Sequence, residues 1–221
     1  MLELQYDEGV VSMNYKKIIK YGFWVVAILL VINLFMGNGD EVDIGLDIDY
    51  DLIADHEVYE MVQSDREDMV LYNYAVVITE PAESREIEET IRMLVQEAIY
   101  EKEFSALVFE VYDHEEYVER EGYTLARAVY APKGELSLAA EIEPGQHRQL
   151  EFDWDILKKD WERQPVEEDV EIWAFWHDEK QVNGRVEEEA FAAALEEFEL
   201  EEEELEEILQ EQQRWMLMDI Q

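Results

Sequence analysis

One uninterrupted apolar segment constrains this chain more than any other feature of its sequence. Residues 21–36 read YGFWVVAILLVINLFM and contain no charged side chain. With Ile18 and Ile19 included, the segment reaches about 19 residues, close to the roughly 20 that an α-helix needs to cross the hydrocarbon of a bilayer. The sequence therefore predicts a transmembrane helix over residues 18–37, through which the protein would contact the lipid bilayer.

Charges on the two sides of this segment predict its orientation. Lysines at positions 16, 17 and 20 lie at its N-terminal end, and acidic residues follow it from Asp40 onward. Positive charge favours the cytoplasmic side of a membrane. We therefore expect a single-pass protein of the cell membrane, with residues 1–17 as a cytoplasmic tail and the C-terminal region extracytoplasmic.

Two questions about the N-terminus stay open. Gly37, Asn38 and Gly39 form a small-x-small sequence of the kind that signal peptidases cleave, so a cleaved export signal is the alternative to an anchor. We favour the anchor because the apolar stretch is slightly longer than a typical signal-peptide core. Met13 also begins a sequence typical of an export signal, so translation could start at Met1 or at Met13.

The rest of the chain is strongly acidic. The protein has 57 aspartate and glutamate residues against 17 lysine and arginine residues, and its formal net charge of −40 falls on residues 38–221. This charge repels nucleic acid phosphates and anionic lipid headgroups, so we expect no nucleic acid partner. It favours cations, basic proteins or solubility in a saline or alkaline environment. The absence of cysteine excludes disulfides and thiolate metal sites.

Residues 38–69 predict an acidic tether, with an edge strand as the alternative. Apolar and mostly acidic residues alternate at residues 44–52 with the period of a strand, but the net charge favours an unstructured segment equally. Asp47, Asp49 and Asp51 form a D-x-D-x-D pattern. They are weak metal candidates, because a calcium loop also needs a glycine and a distal glutamate at fixed offsets.

Residues 70–164 predict a small α/β domain. Strand patterns at 71–78, 106–112 and 123–130 accompany one clear helical pattern, which Ser84 would cap. The apolar stripe of this helix must lie on a sheet, so the order β-α-β-β predicts a sheet with a helix on one face.

Pro165 marks the next boundary, and three helical patterns after it predict an acidic helical bundle over residues 165–221. Trp173, Phe175 and Trp176 cluster in the first of these helices. We interpret them as core residues rather than as a sugar- or peptide-binding groove, because they have helical spacing. The fold class predicted for the whole chain is α+β, with an N-terminal transmembrane helix, a small β-α-β-β sheet domain and a C-terminal three-helix segment.

The stretch YTLARAVYAPKGELSLA at residues 123–139 carries a likeness to known proteins. Its strand ends in an aromatic-Ala-Pro-x-Gly turn, and a P-x-E-E-D-x-x-I segment follows at residues 165–172. Residues 70–175 thereby resemble a bacterial and phage family of small membrane-anchored or lipoprotein-like α/β domains of unknown function. The resemblance implies an anchored domain but no activity. Relatives often attach through a lipidated cysteine, which this chain lacks, so the apolar helix would replace it.

No catalytic constellation is recognisable in the sequence. It lacks the serine nucleophile elbow, the zinc-protease helix, the phosphate-binding loop and the dinucleotide-binding glycine pattern. Asp113, His114 and Glu116 directly follow a predicted strand and are the best metal candidates. An ordinary solvated loop is the alternative in so acidic a chain. We predict no catalytic residue and no cofactor.

These features favour a membrane-tethered, extracytoplasmic acidic module that binds a protein partner or cations without catalysing a reaction. The alternative is a cell-envelope hydrolase that uses carboxylates or a weak metal site. A third hypothesis is a structural role, in which an apolar patch around Trp215, Met216 and Met218 makes an oligomer contact.

Overall fold

A five-stranded mixed sheet forms the centre of the computed structural model, which describes residues 46–66, 69–120 and 122–218, without the side chains of residues 60–66. The strands lie in the order in which they follow one another along the chain, and only β2 and β3 are parallel. The strands are β1 (Glu57–Arg66), β2 (Met69–Val77), β3 (Ala106–Tyr112), β4 (Ala126–Pro132) and β5 (Leu150–Ile156), and the helices are α1 (Ser84–Glu101), α2 (Glu167–Gln181), α3 (Glu187–Phe198) and α4 (Glu202–Met216).

Helix α1 makes the crossover that the parallel pairing of β2 and β3 requires. Its N-cap is Glu83, whose backbone N–H donates to the carboxylate of Glu86 at 2.7 Å, so the predicted cap at Ser84 is one residue late. The predicted apolar stripe is confirmed, because one side of α1 is buried on the sheet. Each fully buried aliphatic side chain contributes about 1.5–3 kcal/mol. The buried apolar residues of α1 are Ile87, Ile91, Leu94, Val95, Ala98 and Ile99.

The opposite face of the sheet is covered in part by a short 3₁₀ helix at Leu136–Glu141. Ala139 of this helix packs with Val108 of β3 and Val129 of β4. Side chains of successive strand residues point to opposite faces, so Glu110 of β3, Arg127 of β4 and Asp153 of β5 lie on this same side of the sheet.

The C-terminal helices share the core of the sheet. Val170 and Trp173 of α2 and Trp215 of α4 belong to the same buried cluster as the sheet residues that contact α1. The described residues form one compact unit. The predicted α/β domain at 70–164 and bundle at 165–221 are therefore parts of a single folded body.

The structure confirms the α+β class and the three C-terminal helices, and it differs from the prediction near the N-terminus. Strand β1 lies within the region predicted as an acidic tether. In the part of the chain that the structure describes, no helix is long and apolar enough to cross a membrane. The predicted transmembrane segment, residues 18–37, lies outside the described residues.

Candidate functional site

The carboxylate of Asp113, directly after β3, is fully buried. Thr124 donates its hydroxyl to Asp113 Oδ1 at 2.5 Å, and the backbone N–H of Asp113 donates to the same hydroxyl at 3.1 Å. Gln164 Nε2 donates to Asp113 Oδ2 at 3.4 Å. Buried carboxylates require such partners, because desolvation of an unpaired charge is costly. From the sequence, Asp113 is expected in a metal site or in a solvated loop. In the structure its side chain is buried in the protein interior.

His114 lies beside this carboxylate at the junction between the sheet and α2. Its Nε2 atom is 3.7 Å from Asp113 Oδ2 and 3.1 Å from the carbonyl oxygen of Pro165. The third candidate of the group, Glu116, lies in the 3₁₀ helix that follows. Partial burial raises the pKa of the Glu116 carboxyl, and its backbone carbonyl accepts a hydrogen bond from Arg120. Each of these three metal candidates therefore has its own local contacts.

The second group of candidates, the D-x-D-x-D pattern, packs on α1 instead of forming a strand. Asp49 caps a 3₁₀ turn at Tyr50–Leu52, where its Oδ1 accepts from the backbone of Asp51 at 3.3 Å. Its Oδ2 pairs with Arg85 at 3.3 Å. Across the described ranges, no three histidine, aspartate or glutamate side chains stand in a geometry that could hold a metal ion.

Of the clustered aromatic residues of α2, Trp173 is buried, and Phe175 and Trp176 are half-buried. Trp173 contacts the ring of Tyr117, with a centroid distance of 5.1 Å. Phe175 lies against Phe198 in the contact between α2 and α3. Of the three residues expected to form an apolar surface patch in the structural hypothesis, Trp215 is buried against Trp161, whereas Met216 and Met218 are half-buried.

Polar contacts of long sequence separation join α2 and α4 to the segment that follows β3. The Tyr117 hydroxyl donates to Gln212 Oε1 inside the protein, while Gln212 Nε2 is buried and has no hydrogen-bond partner among the residues that the structure describes. Arg120 contacts both carboxylate oxygens of Asp178 at 2.8 Å. These two pairs could not be predicted from the sequence. Their members are separated by 95 and by 58 positions, and no local pattern relates residues so far apart.

A row of side chains crosses the sheet on the face opposite α1. Cα partners connect it from strand to strand, and we call it the cross-sheet row: Tyr59, Ala75, Glu110, Arg127 and Asp155. Phe152 and Trp154 of β5 face α1, because Arg92 of α1 lies over their rings. Side chains alternate between the two faces along a strand, so Asp155 and the rest of the row lie on the other face. The row contains two carboxylates, one guanidinium and one phenol. Ala75 is fully buried, the side chains of Tyr59, Glu110 and Arg127 are half-buried, and Asp155 is exposed.

Tyrosine hydroxyls donate to carboxylates along and beside the cross-sheet row. Tyr59 donates to Glu57 at 2.9 Å, Tyr112 donates to Glu110 at 3.0 Å, and Tyr123 donates to Asp155. Burial first, and then the neighbouring carboxylates, raise the pKa values of Tyr59 and Tyr112 well above the usual range. The hydrogen bond to Asp155, followed by partial burial, raises the pKa of Tyr123 to about 12.

Strand β5 presents two different chemical faces. Glu151, Asp153 and Asp155 are exposed, whereas the alternate residues Phe152 and Trp154 are half-buried on the α1 side. The rings of these two residues stack with centroids 4.6 Å apart, and the guanidinium of Arg92 lies 5.4 Å and 5.7 Å from their centroids. One side of the strand is therefore anionic and the other is aromatic with a cation above it.

Comparison with known proteins adds no family to these observations. No protein-family model, no curated protein and no solved structure matches the chain.

Proposed function

We propose that the protein is a membrane-tethered, extracytoplasmic module that binds a cationic partner and catalyses no reaction. The observation that carries this proposal is the placement of carboxylates on exposed surfaces. Glutamates occupy much of α3 and α4, and Arg214 is the only basic residue between positions 187 and 216. A surface of one sign attracts partners of the opposite sign and steers their approach.

The tether rests on the N-terminal sequence alone. The apolar segment 18–37, with lysines at its N-terminal end and acids beyond its C-terminal end, supports a single anchor with the acidic region outside. An acidic body on that side is also kept away from anionic headgroups by its own charge.

The non-catalytic role is supported by the way the polar groups inside the protein are used. Asp113 is enclosed and bonded to Thr124 and Gln164, so its carboxylate does not reach solvent. Arg120 and Asp178 are bonded to one another. These are the contacts of a structural joint between the sheet and the C-terminal helices.

The binding part of the proposal is tested with the full chain in detergent micelles, titrated calorimetrically with a lysine homopeptide at several salt concentrations. We expect binding that weakens as salt rises, since exposed charges are screened within about 10 Å at 0.1 M ionic strength. A glutamate homopeptide of equal length is the control. No binding of the lysine peptide, with calorimetric titrations at two temperatures to detect binding of near-zero enthalpy, or equal binding of both peptides, would contradict the proposal.

The tether is tested by fusing to the C-terminus a phosphatase that is active only outside the cytoplasm. We expect activity in the membrane fraction of cells that express the fusion. Replacing the three lysines at positions 16, 17 and 20 with glutamate should reduce that activity, because positive charge sets the orientation. A soluble fusion, or a membrane-bound but inactive one, would rule out the proposed topology.

A further inference from the structure

We propose that the outer edge of β5 accepts an extended segment of the partner as a sixth strand. The segment would place basic side chains beside the exposed acids of β5 and apolar side chains beside Phe152 and Trp154. This inference rests on the proposed function and deepens it by naming the secondary structure and the residue pattern of the partner.

The two edges of the sheet differ in regularity. The register of β1 shifts between Glu60 and Val62, as at a β-bulge. Such irregularities twist an edge strand away from further pairing. Strand β5 instead pairs with β4 through seven consecutive residues, from Leu150 to Ile156, without a register shift. Within the described residues, β5 has a strand on one side only, so it offers an edge of regular register for strand addition.

The acids of β5 are spaced for an extended partner. Glu151, Asp153 and Asp155 alternate along one face, which places neighbouring carboxylates about 7 Å apart on a strand. A strand added about 4.8 Å away has the same side-chain period. Basic residues at every second position would therefore each lie beside one carboxylate, and opposite charges on adjacent strands stabilise the pairing.

The other face of β5 specifies what the alternate positions of the partner must be. Phe152 and Trp154 are half-buried there, and Arg92 lies over their rings. The guanidinium of Arg92 already occupies the space over these rings and pairs with Glu88 at 3.6 Å, so an apolar side chain, rather than a second cation, would extend the aromatic cluster. The occupant is therefore a strand in which basic and apolar residues alternate, rather than a uniformly basic chain.

Charged residues on an edge strand can also serve only to prevent aggregation. The test separates this role from partner binding. The full chain in micelles is titrated with a peptide of alternating lysine and valine, of the same seven-residue length as β5. A block peptide of equal composition, and an alternating peptide with N-methyl groups on the amides that would face β5, are the controls. N-methylation keeps the charge and removes the backbone donors.

The matching change in the protein reverses charge at the edge. Glu151→Lys with Asp153→Lys alters two exposed positions of β5, and Glu203→Lys with Glu206→Lys makes the same change in net charge on α4. We expect the β5 variant to lose affinity for the alternating peptide by about tenfold or more, with less than about a twofold loss in the α4 variant, because local contacts outweigh distant charge.

The outcomes of these titrations distinguish strand addition at β5 from general attraction of cations to the acidic surface. The inference stands if the alternating peptide binds more tightly than its two controls and the β5 variant alone loses that binding. If all three lysine peptides bind equally, or the two double variants weaken equally, general attraction explains the binding. The edge inference then fails while the proposed function survives. If no lysine peptide binds, the proposed function fails as well.

Discussion

The guanidinium of Arg120 contacts Asp178 through both Nε and Nη2, each 2.8 Å from a carboxylate oxygen. This paired contact joins the loop after β3 to α2. Charge-assisted, two-pronged hydrogen bonds of this kind are stronger and more directional than single ones. Their local effect is visible in the Asp178 carboxyl, whose pKa is lowered mainly by the hydrogen bond from Arg120.

Removing this carboxylate should produce a pH-dependent loss of stability. The folded-state pKa of Asp178 lies below its unfolded value, so its contribution is complete above the ordinary aspartate pKa and is lost as the pH falls through the folded value. Asp178→Asn should cost about 1 kcal/mol at neutral pH, a modest value because both side chains are partly exposed. Urea unfolding at several pH values measures it. If the loss of unfolding free energy in Asp178→Asn stayed the same below about pH 3, the link between the pKa of Asp178 and stability would be contradicted. Glu196→Gln, on the exposed surface of α3, is the control variant.

Alkaline pH should destabilise the protein through its buried tyrosines. Burial raises the pKa of Tyr130 to about 12, and burial with nearby carboxylates raises that of Tyr112 further. The folded state keeps these protons above about pH 10, where the unfolded chain releases them. Stability is therefore unaffected below that pH and falls as the pH rises through the folded values.

Circular dichroism and tyrosinate absorbance, followed from neutral to alkaline pH, measure this effect. Tyr130→Phe should reduce the slope of stability against pH by up to about 1.4 kcal/mol per pH unit, the value for one proton. A wild-type unfolding free energy that stays constant well above pH 10 would show that the tyrosines ionise freely in the folded protein.

The Tyr117–Gln212 contact should behave as a coupled pair. Tyr117→Phe leaves Gln212 Oε1 unpaired inside the protein, and Gln212→Leu leaves the tyrosine hydroxyl unpaired. Each single variant should cost about 1–3 kcal/mol, whereas replacing both partners costs less than their sum. The double variant also removes Gln212 Nε2, which has no hydrogen-bond partner within the described ranges of the wild-type chain. Chemical denaturation of the four proteins gives the coupling energy, and strict additivity would argue against an energetically important bond.

Gly134 should tolerate a side chain less well than Gly184. Both have positive φ, of 74° and 70°. A Cβ on Gly134 would lie 3.1 Å from Asp153 Cβ on β5, whereas a Cβ on Gly184 meets nothing within 4 Å. Gly184→Ala should cost about 1 kcal/mol from backbone strain alone, and Gly134→Ala should cost more. Thermal melting compares the two, and equal losses would mean that β5 moves aside without cost.

The helical elements could be predicted from the sequence because their signals are local. The apolar residues from Ile87 to Ile99 repeat with helical period, and the structure buries them on the sheet. Strand β1 lacks such a signal, because acidic residues occur along it and its register shifts in the middle. Its position is determined by pairing with β2, which is a tertiary contact.

The role of Asp113 could not be read from its neighbours for a similar reason. The chain has 57 aspartate and glutamate residues, and the local sequence does not indicate which of their carboxylates becomes buried on folding. Thr124 and Gln164, which satisfy it, are distant in sequence. The same limit applies to the union of the sheet with the C-terminal helices, which depends on contacts such as Tyr117 to Gln212.

Several of the few cations in this chain contact its own rings and carbonyl groups. Arg92 and Lys102 lie over aromatic rings, Lys180 lies over Trp176, and Lys159 donates to the carbonyl oxygen of Trp215 at 2.6 Å. Because the formal net charge is −40, most of the balancing charge comes from dissolved ions. In solution the protein is therefore a polyanion inside a diffuse cloud of counterions. Its molecules should repel one another at low ionic strength, and their electrophoretic mobility and osmotic pressure should fall steeply as salt collapses that cloud.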